Sequence, residues 1–282
     1  MISKNLTTLN IRMIKPKLHY YDLGAEIVAF SSTRHGGVSK GRHAEFNINR
    51  YCSDDVKNVA TNREALAEAL GLSVDKLIVP HQIHKIDSCR IEEEFFTLSQ
   101  ITRDKILDGV DAVMTNVPGV CIGVSTADCI PVLVYDERKR ATAAIHAGWR
   151  GTLRHIVWKT IREMVVGFGS DPKDLKAVIG PGISIENFEV GQEVYDAFAS
   201  AGFDMTAIAK QFPAFGLNAE EPEMKWHLDI RMCNQLDLER AGLVAENILD
   251  TGICTYDMVD DYFSARRLGI RSGRIYNGII IK

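Results

Sequence analysis

The chain has 282 residues, 46% hydrophobic and 25% charged, the balance of a packed globular protein of enzyme size and not of a disordered chain. Its formal net charge of −4 leaves no basic excess to neutralise a run of phosphates, which excludes a duplex nucleic-acid binder but not a site for a small anion. Residues 1–17 carry scattered charges and no continuous apolar core, so they read neither as a signal peptide nor as a membrane span; with six cysteines and no Cys-x-x-Cys, this points to a cytoplasmic chain with reduced thiols.

No linker, repeat or low-complexity tract divides the sequence, and residues 1–282 read as a single domain. Ser32-Thr33-Arg34-His35-Gly36-Gly37-Val38-Ser39 matches neither a Walker loop nor a dinucleotide fingerprint and reads as a turn, followed by Phe46-Asn47. Ser53-Asp54-Asp55 can cap a helix over 58–70 that Gly71 stops. Short apolar runs bounded by turn residues predict buried strands at 77–79, 112–114, 120–125, 130–135 and 141–145. Helical spacing of Leu153, Ile156, Val157, Ile161 and Val165 predicts one helix over 152–166, ending at Gly167 and Gly169. Gly180-Pro181-Gly182 is a tight turn, 191–201 and 229–241 are further helices, and 275–281 has strand character. Strands joined by short polar links and mixed with helices indicate an α+β or mixed-sheet α/β fold, not a regular βαβ winding.

The link Asp136-Glu137-Arg138-Lys139 joins two of these strands. A tight turn centred between Glu137 and Arg138 sets Cys129 opposite His146, with Cβ atoms about 4.5–5.5 Å apart, close enough to share one zinc ion. Glu-Arg is not a favoured hairpin dipeptide, and a longer loop shifts the register by a residue or two. Pro80-His81-Gln82-Ile83-His84 supplies a third ligand. His84 with Cys129 and His146 makes a His₂Cys set that leaves one position open, as catalytic zinc sites do; His81 is its rival, since residues three apart on a strand face opposite sides. The same Cys129–His146 pair also reads as the thiolate–imidazolium couple of a metal-free hydrolase, with Cys129 as nucleophile and Asp128 or another acid orienting the ring. A plainer alternative makes Cys129 a small hydrophobe and His146 a hydrogen-bonded ring. Gly148-Trp149-Arg150-Gly151-Thr152 leaves a strand and opens a helix, so backbone N–H groups and the Arg150 guanidinium can receive an anion; otherwise the glycines only make the turn and Arg150 is solvated. Arg266 and Arg267, in Phe263-Ser264-Ala265-Arg266-Arg267, read as surface charges.

Taken in order, these segments, with Asn62-Arg63, Thr126-Ala127-Asp128-Cys129, Ile179-Gly180-Pro181-Gly182-Ile183 and Phe188-Glu189-Val190-Gly191, resemble the YfiH-like laccase-domain family over nearly the whole chain. The resemblance implies a single-domain four-layer α/β/β/α mixed-sheet sandwich. It implies a zinc-dependent purine nucleoside phosphorylase of broad specificity (adenosine, inosine, guanosine, methylthioadenosine) with adenosine deaminase activity, its ligands falling on His84, Cys129 and His146. The local departure is Asn49, where many relatives have glycine. A four-copper oxidase needs paired His-x-His segments, and none of the eight histidines forms one; a lone His₂Cys set suits zinc, although copper would bind it tightly in vitro. The Pro-Cys-x-x-Cys half of the zinc nucleobase deaminase signature is absent, so deamination would use another geometry, with Asp128 shuttling the proton. Arg34, Asn47 and Arg150 are the candidate substrate and phosphate contacts. A noncatalytic nucleoside-binding protein would keep the same pocket without turnover.

Overall fold

The computed structural model describes residues 14–214 and 223–282; most of the 1–17 stretch considered above lies outside them. A six-stranded sheet has the order β13–β9–β7–β8–β5–β4, formed by β4 (Ser88–Ile91), β5 (Ala112–Thr115), β7 (Ile130–Asp136), β8 (Ala141–Ala147), β9 (Leu175–Ile179) and β13 (Ile248–Asp250). A five-stranded sheet has the order β1–β2–β14–β6–β3, formed by β1 (Leu18–Tyr21), β2 (Ile27–Ser32), β3 (Leu77–Ile78), β6 (Cys121–Thr126) and β14 (Ile275–Ile281). A small antiparallel sheet holds β10 (Glu189–Val190), β11 (Ala209–Pro213) and β12 (Met224–Leu228).

The period of two along β7 and β8 explains the layering. Val132, Val134, Ala143 and Ile145 face a core shared with α4 (Ile156–Phe168) and α7 (Ile230–Ala241), through Ile156, Ile161, Met164 and Leu238. Leu133, Tyr135 and Ala144 face the other way, onto Ala29, Ile122, Val124 and Ile279 of the five-stranded sheet. That sheet's outer face packs Phe30, Cys121 and Ile280 against Leu66 of α1 (Val56–Leu70). The order is helix, sheet, sheet, helix, a mixed α/β architecture. Because β7 and β8 are covered on both faces, every residue in them is buried, and the sequence reads as an apolar run and not an alternation.

Local chemistry sets the ends of these elements. Asp55 caps α1 by accepting the N–H groups of Lys57 and Asn58, worth about 1 kcal/mol, and Gly71 closes it in the left-handed region at φ 69°. The expected single helix over 152–166 is two: α3 (Trp149–Leu153) ends at Arg154, and α4 begins after His155, whose φ is +56°. A period-based reading continues through such a break because apolar spacing persists on both sides. The remaining helices are α2 (Gln100–Ile106), α5 (Gln192–Ser200), α6 (Met205–Ile208) and α8 (Ala265–Leu268). None of the described helices is long and apolar enough to cross a membrane, and all six cysteines are free.

The β7–β8 register corrects the tight-turn expectation. Pro131, not Cys129, pairs with His146, because the last ladder pair is Asp136 with Ala141 and residues 137–140 form a four-residue loop. The shift is two residues, and an even shift keeps every side chain on its face; a shift of one would have turned Cys129 away from His146.

Candidate metal centre

Four backbone segments converge at one end of the two sheets. Cys129 lies just before β7, in the turn after β6, and His146 is the penultimate residue of β8. His84 comes from the loop after β3, with its backbone in the left-handed region at φ +62°. Gln82 fixes that loop: its amide donates to the Ser125 carbonyl at 2.8 Å and accepts from the Ser125 N–H at 2.7 Å, tying it to the end of β6. One ligand atom from each of His84, Cys129 and His146 lies within 4.8 Å of the others, and among the described residues this is the group of His, Cys, Asp and Glu side chains placed to hold a metal ion. The His84 and His146 rings meet nearly edge to face, centroids 4.8 Å apart.

Behind the group stands Asp111, which sequence reasoning missed. It directly precedes β5 and, continuing that strand's register, lies opposite His146, whose N–H donates to the Asp111 carbonyl at 2.8 Å. The fully buried carboxylate takes His146 Nδ1 at 2.7 Å and the N–H groups of Ile83, His84 and Lys85 at 3.3, 3.0 and 2.8 Å. It thus leaves His146 Nε2 as the ring's ligand atom and folds the loop that presents His84. The available signal was an acid opening an apolar strand, Val110-Asp111-Ala112-Val113, where a carboxylate is stable only with partners. Burial pushes Asp111 up, but the His146 hydrogen bond and charge and the loop N–H groups outweigh it and hold the carboxyl below its ordinary value. Burial likewise opposes ionisation of Cys129 and His146. The pair's mutual attraction, with further hydrogen bonds from His84 and Asp111, pulls the thiol down to about 6 and lifts the imidazole to about 9.

The donors fit a borderline-soft divalent ion: one readily ionised thiol, one imidazole oriented by a carboxylate, and one more exposed imidazole. Gly148 makes the space. A Cβ built there would sit 3.0 Å from both Cys129 Sγ and His84 Cδ2 and 3.7 Å from His146 Cε1, in the cradle the three ligands surround.

A cavity of about 590 Å³ opens over the group, with Tyr51, His81, Trp149 and Phe188 among its walls and Arg266, Arg271 and Arg274 along one side. His81 is outside the ligand group: its Nδ1 is 2.6 Å from Asp108 Oδ1 and its ring stacks on Tyr51 at 4.1 Å. Asp128 lines the cavity, yet its Oδ1 accepts from the Thr255 hydroxyl and its Oδ2 from the Arg266 N–H, both at 2.7 Å. Its carboxylate thus ties α8 to the site and is poorly placed to shuttle a proton. Three other expected contacts lie elsewhere. Arg34 donates to the carbonyls of Ala44 and Val259 and covers the Phe263 ring. Asn47 is fully buried and braces the Asn49 carbonyl, Asp54 and the Arg274 N–H. Arg150 is exposed with its guanidinium over Trp149, since the turn that opens α3 sends it outward. None of these three lines the cavity. Arg266, read from sequence as a surface charge, does.

A sequence profile of the multi-copper polyphenol oxidoreductase laccase family matches residues 28–282. The chain belongs to that family. A purine nucleoside phosphorylase from Bacteroides thetaiotaomicron is 42% identical over 97% of this chain and 99% of its own. Adenosine deaminase RL5, from an unknown prokaryotic organism, is 39% identical over 91% of this chain and 94% of its own. The crystal structure of Bacillus licheniformis hypothetical protein YfiH superposes with a TM-score of 0.84 at 24% identity, covering 96% of this chain and 98% of that one, and shows the shared fold. For this family member the word multi-copper meets a structure whose described residues offer a single three-ligand group.

Proposed function

We propose that the protein is a zinc-dependent enzyme of purine nucleosides, cleaving them with phosphate and deaminating adenosine. We read residues 1–282 as one domain and, from the free thiols, place it in the cytoplasm. The reading is carried by the His84–Cys129–His146 group, braced by Asp111, at a cavity that has aromatic walls for a base and arginines for an anion. The names of the relatives point the same way. Zinc held by the three residues would supply positive charge and an open coordination position, which lowers the pKa of a water and offsets negative charge as it develops.

In phosphorolysis a phosphate oxygen attacks the ribose C1′, and the C1′–N9 bond breaks with its electron pair leaving on the purine, which takes up a proton. We assign phosphate to the side lined by Arg266 and Arg271, in place of Arg34 and Arg150; the Arg274 guanidinium beside them is spent on the carbonyls of Ile270, Ser272 and Gly273. His81, its Nδ1 held by Asp108, is the candidate acid for the departing base. The test is chromatography of purified protein with adenosine, inosine, guanosine and methylthioadenosine, with and without phosphate. Free purine that appears only with phosphate is expected; no phosphate-dependent purine from any of the four rejects the reading. Arg271→Ala should raise the phosphate KM about tenfold or more while affecting adenosine deamination less, since that reaction consumes water. Arg150→Lys should be near neutral.

The arrangement of Cys129, His146 and Asp111 supports one further reading. A thiol, an imidazole and a buried carboxylate in line have the composition of a cysteine hydrolase triad. Activity that survives chelation and is lost to iodoacetamide would favour it; loss on chelation with recovery on adding zinc would favour the metal enzyme.

A further inference from the structure

Asn49, in the loop before α1, lines the cavity over the metal centre and is 8% exposed. Its backbone is fully engaged: the N–H donates to Asn47 Oδ1, and the carbonyl takes Asn47 Nδ2 at 3.2 Å and the Cys52 thiol at 3.3 Å. The side-chain oxygen accepts the Tyr51 N–H at 2.6 Å. Only the oxygen of a carboxamide can take that proton, so the group is fixed with its nitrogen turned the other way. Among the described residues Nδ2 has no hydrogen-bond partner. It is also within reach of solvent, whereas Ser125 Oγ, another unpartnered polar atom in the same wall, is sealed. A donor is thus held in place at the cavity, in a side chain with little freedom left to lose when something binds.

The cationic side of the cavity adjoins this donor. Asn47 Oδ1 also accepts the Arg274 N–H at 3.1 Å, so one buried side chain ties Asn49 to the segment that carries Arg271. Arg271 is exposed at the cavity, and its guanidinium has no hydrogen bond or ion pair among the described residues. The acids close by do not oppose an anion: both Asp128 oxygens are held, by the Thr255 hydroxyl and the Arg266 N–H, and Asp54, which takes the Ser39 and Asn47 side chains, does not line the cavity. We infer that Asn49 is a phosphate-binding residue, its Nδ2 donating to an oxygen of the phosphate that Arg271 draws in. This rests on the phosphorolysis reading above. A group that can only donate suits a ligand whose ionised oxygens only accept, and a hydrogen bond to an anion is of the stronger, charge-assisted kind. A guanidinium reaching out from the surface attracts phosphate but leaves its orientation loose. The locked carboxamide fixes one oxygen, and with it the oxygen that faces C1′.

Asn49→Asp is the decisive variant, because it is isosteric and keeps an oxygen for the Tyr51 N–H while exchanging the free donor for negative charge. Titration of the full chain with inorganic phosphate, followed by phosphorus NMR line width, reads binding without any need for turnover. Saturable binding to the unaltered protein is expected, weaker by about tenfold in Asn49→Ala and by about a hundredfold in Asn49→Asp. With inosine as the second substrate, the phosphate KM should rise by similar factors and the inosine KM by less than about threefold, a split that general damage to the loop would not produce. Phosphate binding that weakens in both variants, in a protein that releases no purine, would remove the phosphorolysis reading and leave this site standing. The inference is overturned if phosphate shows no saturable binding up to about 50 mM, or if both variants bind it as the unaltered protein does. A rise in the inosine KM in place of the phosphate KM overturns it too, and would make Asn49 a contact of the nucleoside.

Discussion

Alanine at Cys129 or at His146 should bring the metal content of the purified protein from about one ion per chain to near background, and turnover with it. Each change removes one of three donors and leaves too few to hold the ion. His84→Ala should do the same, whereas His81→Ala should keep its metal, because the His81 ring is committed to Asp108 and Tyr51. Elemental analysis of the four variants checks this, and full metal in all three ligand variants would end the assignment. Gly148→Ala is the sharper geometric form of the experiment. It removes no donor, yet its methyl group would stand 3.0 Å from Cys129 Sγ and from His84 Cδ2, so both side chains must shift and metal affinity should fall, by less than in the ligand variants. Unchanged affinity for the metal in Gly148→Ala, read by competition with a chelator, would mean that the ligand cradle is not as close to Gly148 as the geometry places it.

The second large effect is expected at Asp111, a residue that touches no substrate. Asparagine there places an N–H₂ group among four donors, the His146 ring and three backbone N–H groups, so at least one must face a donor. Metal affinity should fall about 10- to 100-fold, the usual penalty for losing a carboxylate behind a metal-bound histidine. Stability should fall by about 3–5 kcal/mol, since a buried, multiply bonded charge is broken. Competition with a chromophoric chelator and a denaturant titration read the two separately. Unchanged metal affinity in a folded Asp111→Asn protein would show that Asp111 serves the loop alone.

The meeting of His84, Cys129 and His146 was legible in the sequence because they lie beside turn residues at the ends of apolar runs, and such boundaries are local features. The cap at Asp55, the stop at Gly71 and the buried strands were legible for the same reason. The hairpin register was not, because it depends on how many residues the loop takes, and 137–140 takes four. Asp111 was missed because its partners lie about 26 to 35 residues away in sequence, and nothing near it announces them. Arg34 and Arg150 drew attention through neighbouring glycines, which mark turns without saying which way a side chain leaves them. Arg266 and Arg271 show the converse. A run of exposed arginines looks like solvated surface until the segment carrying it is folded over the cavity, here with Asp128 holding the first turn of α8.

The place of β14 has a consequence for how the molecule is made. Residues 275–281 are inserted between β2 and β6, so a strand near residue 30 and one near residue 123 must wait for the same late partner. During synthesis both strands present open edges until that segment has left the ribosome, and contacts of such sequence separation form slowly. The arginines of 266–274 arrive just ahead of it. The first roughly 150 residues can thus carry His84, Cys129 and His146 long before there is a wall for an anion or a closed sheet to support them, and the nascent protein is most exposed to misassociation in that interval.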